Sequence, residues 1–253
     1  MIEPTILFED DAIVVVSKPF GMTVNAADSA KGELTLQEWA EEKYHFSRTT
    51  WEPLMVDGYN VTDEFLSRGG VVHRLDKETS GVLVLAKNPE SFAKLKHQFL
   101  TRTTRKTYLA LAHGKIAPEK GLIDAPTGRL PYNRMRFGVI AGGREAQTEY
   151  DVLAIYTLKV HKETETLSLV QLHPLTGRTH QIRVHLKHLG HPIFADELYA
   201  GRKTARDDRQ LLPRLFLHAQ QLEFVHPTTG EQMTIKAPLP EELQHFLDSL
   251  QKV

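Results

Sequence analysis

The first patterned segment runs from Thr5 to Val16, where aliphatic and β-branched residues flank the polar triplet Glu9-Asp10-Asp11. Such residues fit a pleated, half-buried surface, so two short strands around a turn are expected, ended by Pro19 and Gly21. From Leu34 to Tyr44 the period changes: apolar residues stand at 34, 36, 39, 40 and 44. That spacing predicts a helix, with Thr35 as N-cap and Glu38 three positions on. From His45 to Gly70 no period is sustained, the composition is acidic, and Pro53, Gly58, Gly69 and Gly70 interrupt. This stretch is expected to be an insertion that leaves the core.

Gly81 to Lys87 is a compact apolar strand, and Pro89 to Thr101 follows with Phe92, Leu95, Phe99 and Leu100 at helical spacing. Pro89 suits a first helical turn. Thr107–His113, Thr148–Tyr156 and Thr166–Leu172 alternate as strands do. Gly177 to Leu189 predicts a helix stopped by Gly190 and Pro192. Leu222–Val225 with Met233–Ile235 predicts a hairpin before a last helix from Glu241 to Leu250. Strands in runs, with helices placed irregularly among them, imply an α+β fold with a mixed, mainly antiparallel sheet and peripheral helices. Residues 1–253 are expected to form a single catalytic domain with an insertion at 45–70. The first patterned strand starts a few residues into the chain, so no separate RNA-binding domain is expected before it.

Charge alters this picture. The chain has 31 Lys+Arg and 32 Asp+Glu, a net charge of -1, but residues 1–70 carry 5 basic and 13 acidic residues. The remaining residues carry 26 and 19, so the larger part is basic. Between Ser91 and Pro118 stand Lys94, Lys96, Arg102, Arg105, Lys106 and Lys115 with no acid among them. A phosphate backbone requires such a field, although a solvated helix and strand face has the same composition. With 41% hydrophobic residues the chain can bury a substantial core. No apolar run approaches the roughly 20 residues of a membrane span, and no basic lead enters an apolar stretch. A cytoplasmic location is expected. The absence of cysteine excludes disulfides, thiolate metal sites and thiol nucleophiles.

The densest polar cluster is His73-Arg74-Leu75-Asp76-Lys77-Glu78-Thr79-Ser80-Gly81, directly before the apolar strand Val82-Leu83-Val84-Leu85. Polar groups at a strand entrance can face a cleft, or Asp76 and Thr79 can hydrogen-bond their own turn. This cluster resembles the signature of RluA-type pseudouridine synthases, and four other segments match that family in order. Val16-Ser17-Lys18-Pro19-Phe20-Gly21 resembles the early Lys-Pro-x-Gly segment, with Ser17 where the family usually has Asn. Lys106-Thr107-Tyr108-Leu109-Ala110 resembles the segment carrying the active-site tyrosine, and Ala146-Gln147-Thr148-Glu149-Tyr150 resembles the strand after it. Thr176-Gly177-Arg178-Thr179-His180-Gln181-Ile182-Arg183-Val184-His185 resembles the third motif, followed by Gly190-His191-Pro192-Ile193 and Asp196.

The resemblance implies an RNA pseudouridine synthase, an isomerase acting on ribosomal or transfer RNA. Asp76 would be the nucleophile, Arg183 its counter-ion, and Tyr108 the residue stacking on the uracil. Arginine suits a buried carboxylate because its planar fork offers two hydrogen bonds. A uridine within folded RNA must be turned out of its stack, and Arg74 would fill the gap. Arg105, Lys106, Arg178, His180 and Gln181 are the further candidates for RNA contact. The isomerisation neither gains nor loses atoms, so no cofactor is expected, and none of the phosphate-loop or dinucleotide fingerprints stands in the chain. No metal site is expected at His173, His180, His185, His188 and His191. His180 and His185 lie about 140° apart around a helix, and no carboxylate stands at a matching position in that turn. RNA is the expected partner of a monomer with no obligate protein partner and no membrane association. Two other readings remain: a catalytically silent RNA-binding or RNA-assembly factor of the same fold, and a hydrolase using Asp76 with His73.

Overall fold

The computed structural model describes residues 3–26, 32–47, 50–131, 133–160 and 163–253. The chain divides into two compact units, one of residues 1–105 and 219–238, the other of 106–218 and 239–253. Among the described residues no helix is long and apolar enough to cross a membrane.

In the first unit, β1 (Thr5–Glu9) and β2 (Ile13–Lys18) pair antiparallel. Their turn is fixed by Asp10, whose Oδ1 accepts the N–H groups of Ala12 and Ile13 at 2.8 and 2.9 Å. Helix α1 (Leu36–Tyr44) begins at the predicted capping box, with Thr35 and Glu38 each accepting from the other's backbone. The segment expected as an insertion holds the short hairpin of β3 (Met55–Val56) and β4 (Tyr59–Asn60), then α2 (Val61–Ser67). Residues 48 and 49 of it lie outside the described residues. It does not leave the core: Phe65 of α2 is fully buried, with ring centroids 4.8 Å from Phe46 and 6.2 Å from Trp51.

β5 (Ser80–Ala86) pairs antiparallel with β2, and both are buried almost throughout, which explains why they read as continuous apolar runs rather than alternations. α3 (Pro89–Leu100) follows, capped by Asn88, with Pro89 in its first turn and Phe92 turned onto Phe65. β12 (Leu217–Val225) neighbours β5 and pairs antiparallel with β13 (Gln232–Lys236). Gly81 is required where β5 and β12 approach, because a Cβ there would stand 2.2 Å from the carbonyl oxygen of Ala219.

In the second unit, β6 (Arg105–His113) pairs with β11 (Glu163–Pro174), and β11 with the long β10 (Gln147–Val160). β7 (Lys120–Asp124) and β14 (Gln251–Lys252) lie along the other edge of β10, and all these pairings are antiparallel. A separate hairpin joins β8 (Thr127–Leu130) and β9 (Asn133–Val139). Helices α4 (Gln181–His188), α5 (Arg202–Leu211) and α6 (Glu241–Asp248) complete the unit. Leu109, Leu111, Leu169, Ile182, Phe194, Phe216 and Phe246 belong to its core.

The α+β class and the antiparallel pairings agree with the sequence. The helix expected from Gly177 begins instead at Gln181. His180 occupies the left-handed region at φ 56°, which no α-helical residue adopts, so the residues before it form a turn. Neither β7 to β9 nor α5 was expected.

Candidate active site

The turn carrying Asp76 is held from β2. Buried Lys18 donates from Nζ to the carbonyls of Pro19, Met22 and Lys77 at 2.9, 2.8 and 3.3 Å. The Lys77 carbonyl also accepts the N–H of Gly21 at 2.9 Å, and Gly21 has φ +83°, which glycine adopts without penalty. The early Lys-Pro-x-Gly segment is thus the clamp on the residue after Asp76. Within the turn, the Thr79 N–H donates to the Asp76 carbonyl at 3.1 Å. Asp76 itself is half-buried and Arg74 is exposed.

His73 stacks on Phe99 with ring centroids 4.3 Å apart. Its Nε2 accepts the Val84 N–H at 3.1 Å, which puts the proton of a neutral ring on Nδ1. His73 therefore ties the turn to β5, and this bond occupies the nitrogen that a hydrolase would need as base.

In the second unit Arg183, 2% exposed, lies on the first turn of α4. Its Nε and Nη2 donate to the two oxygens of fully buried Asp196 at 2.8 and 2.7 Å. Asp196 Oδ1 further accepts the N–H groups of Leu198 and Tyr199 at 2.9 and 3.1 Å. The Arg183 guanidinium stands 5.1 Å from the centre of the Tyr199 ring. One edge of the arginine fork is thus fixed by a carboxylate to which the sequence assigned no role.

Tyr199 is a hub that sequence reasoning missed. Its hydroxyl lies 2.9 Å from His180 Nδ1 and accepts the Phe137 N–H of β9 at 3.1 Å. Phe137 lies edge-on to His180 at 5.6 Å, and Arg129 of β8 stands 5.3 Å over Phe137. The β8–β9 hairpin is thereby brought to the start of α4, beside His180 and Arg183. A signal for it existed: residues 125–144 include Arg129, Arg134, Arg136 and Arg144 and no acid.

Other expected residues are placed as follows. Tyr108 is half-buried on β6, opposite Leu172 of β11, and packs against the unit's core. Arg105 is exposed at the start of β6 and Lys106 half-buried beside it, its carbonyl 3.3 Å from His173 Nδ1. Arg178, half-buried, donates from Nε to the Glu145 carbonyl at 3.0 Å.

Gln181 is a correction. It is 4% exposed; its oxygen accepts from the Thr176 hydroxyl and the Arg178 N–H, and its Nε2 donates to the Gln147 carbonyl and Thr148 Oγ1. Every donor and acceptor of the amide is spent inside the unit, leaving none for RNA. Gln181 instead pins the start of α4 to β10.

His185 is likewise internal, its Nε2 donating to the Ala125 carbonyl at 3.0 Å while Nδ1 accepts from Thr148 Oγ1 at 2.9 Å. Burial, foremost, holds its pKa below the usual histidine value. His191 donates from Nδ1 to the His113 carbonyl at 2.8 Å.

Comparison with known proteins gives a concordant result. A family model described as RNA pseudouridylate synthase matches residues 12–188. The chain is 36% identical to Ribosomal large subunit pseudouridine synthase D of Nitrosomonas europaea, an alignment covering 98% of this chain but 65% of that protein, just under two thirds. It is also 36% identical to Uncharacterized RNA pseudouridine synthase YlyB of Bacillus subtilis, over 98% of this chain and 73% of the other. Among solved structures, Human RNA Pseudouridylate Synthase Domain Containing 1 superposes with a TM-score of 0.73 at 26% identity, covering 99% of this chain and 89% of that one.

Proposed function

The chain belongs to the RNA pseudouridylate synthase family, of the RluA type that its motifs resemble, and we propose that it isomerises uridine to pseudouridine in RNA with Asp76 as nucleophile. The observation that carries this is the turn bearing Asp76, clamped through Lys18 and Gly21 at the entrance of β5. The Nitrosomonas relative is named for the large ribosomal subunit, so ribosomal RNA is the first substrate to test and transfer RNA the second.

In the reaction the bond from the uracil nitrogen to ribose C1′ breaks and a bond from C5 to C1′ forms. The hydrogen at C5 leaves as a proton, and the freed nitrogen takes one up. Electrons and atoms balance, so the chemistry asks for a nucleophile and proton transfers alone. By the motif resemblance Arg183 is the counter-ion of Asp76, and its rigid hold on Asp196 would fix the guanidinium before substrate arrives. Tyr108 would stack on the uracil and move the C5 proton. Arg74 would fill the gap left by the extruded base.

Arg105, Lys106, Arg178 and His180 remain the proposed RNA contacts, joined now by Arg129 of the β8–β9 hairpin. A monomer acting in the cytoplasm completes the proposal. The test is release of tritium from RNA containing [5-³H]uridine. Release from ribosomal or transfer RNA supports the proposal. RNA binding without release would favour the silent RNA-binding factor.

A further inference from the structure

Ala195 sits beside Asp196 with φ +62°, a left-handed conformation that L-residues other than glycine adopt reluctantly. Both of its peptide groups are held from α5. Its N–H donates to Asp208 Oδ2 at 2.9 Å, and its carbonyl accepts from Arg209 Nε at 2.8 Å. The same Asp208 oxygen takes His113 Nε2 at 3.0 Å, and His113 Nδ1 bonds Glu165 on the other side. Asp208 and His113 are 5% and 8% exposed, so these bonds are shielded from water.

We propose that the chain Glu165–His113–Asp208 is a positioning device: it holds Ala195 in its left-handed conformation and thereby fixes Asp196 and the guanidinium of Arg183. The proposal rests on the reading of Arg183 as part of the active site. The alternative path is to let Ala195 relax to negative φ, which would turn the following peptide and carry Asp196 away from Arg183. Asp196 also caps the Leu198 and Tyr199 N–H groups, so the Tyr199 hub would move with it.

The groups facing the His113 imidazole are Glu165 from β11, Asp208 from α5 and the ring of Phe194 at 5.3 Å; His191 touches only the His113 carbonyl. Burial works against a charged ring, but hydrogen bonds and charge from Asp208 and Glu165 outweigh it and push the His113 pKa up to about 9. The His113 ring is therefore charged at neutral pH.

The test compares Asp208→Asn, Ala195→Gly and the double variant, with two readouts: turnover on tritiated RNA, and solvent exchange of the Arg183 Nε–H proton by NMR. Asp208→Asn is expected to lower kcat about tenfold, the factor matching the left-handed penalty of a non-glycine residue, with KM for RNA little changed. Arg183 Nε–H exchange should quicken in parallel. Glycine carries no such penalty, so Ala195→Gly in the same chain should return both readouts to near wild type. If the double variant stays as impaired as Asp208→Asn, α5 contributes ordinary packing and the inference is overturned. If exchange follows the expected pattern while kcat does not move, the device stands and the catalytic reading of Arg183 falls. Should Asp208→Asn fail to fold, Glu165→Gln, at a position 37% exposed, carries the same comparison at smaller amplitude.

Discussion

Removing the Arg183 guanidinium separates what the Arg183–Asp196 pair does for stability from what it does for chemistry. Arg183→Met leaves the Asp196 carboxylate at 0% exposure with two backbone N–H donors and no cation in its bidentate contact. Stranding one member of a buried pair costs about 3–5 kcal/mol. For a chain of this length that lowers the melting midpoint by roughly 6–20 °C. Adding Asp196→Asn removes the uncompensated charge yet keeps an oxygen for the Leu198 and Tyr199 N–H groups. The double variant should therefore regain about 2–3 kcal/mol over the single, a large coupling between neighbours. Denaturant unfolding of the four members of this cycle measures the coupling directly. Turnover should be lost in both variants that lack Arg183, because no stability repair restores a guanidinium. If Asp196→Asn further destabilised the Arg183→Met protein, the pair would not be the interaction that organises this site.

The remaining predictions are independent of that cycle. His113 holds its proton more tightly folded than unfolded, so its contribution, on the order of 3 kcal/mol, is complete below about pH 6.5. That contribution is lost as pH rises through about 9, where the folded group titrates. Unfolding free energies across that window should fall for wild type and stay flatter for His113→Gln. Phe65→Ala should cost about 3–5 kcal/mol in denaturant unfolding, because Phe65 is fully buried among Phe46, Trp51 and Phe92. A value near zero would restore the view of residues 45–70 as a detached insertion. Arg105→Ala, at an exposed position, should weaken RNA binding and shallow its salt dependence by about one unit while sparing kcat; an unchanged slope would remove Arg105 from the interface.

Much of this architecture is legible because local signals agree with the tertiary outcome. Thr35 with Glu38 announces α1, Pro89 marks the first turn of α3, and the unbroken apolar run of β5 reflects a strand covered on both faces. What escaped did so for identifiable reasons. The sequence of α5, Arg202 to Leu211, offers almost no apolar stripe, and it buries Ala205 and Asp208 instead. A buried aspartate satisfied by His113 and a backbone N–H looks in sequence like any solvated one. Gln181 was misread for the same reason: a polar side chain at the head of a helix can face RNA or be consumed internally, and spacing does not distinguish them. The Asp196 partner of Arg183 lies thirteen residues on, across a turn whose left-handed Ala195 no propensity foretells. The basic run over residues 125–144 was visible, but its glycines and prolines hid the hairpin that carries it.

The central claim, that Asp76 performs the isomerisation, is tested most directly by tritium release from [5-³H]uridine-labelled ribosomal and transfer RNA with wild type and Asp76→Asn side by side. The amide preserves the size of the side chain and removes its nucleophilicity. Wild type should release tritium, and Asp76→Asn should release none while binding the same RNA within about threefold, since an isosteric neutral replacement at the reacting centre removes chemistry rather than backbone contacts. Release by Asp76→Asn at the wild-type rate would contradict the assignment.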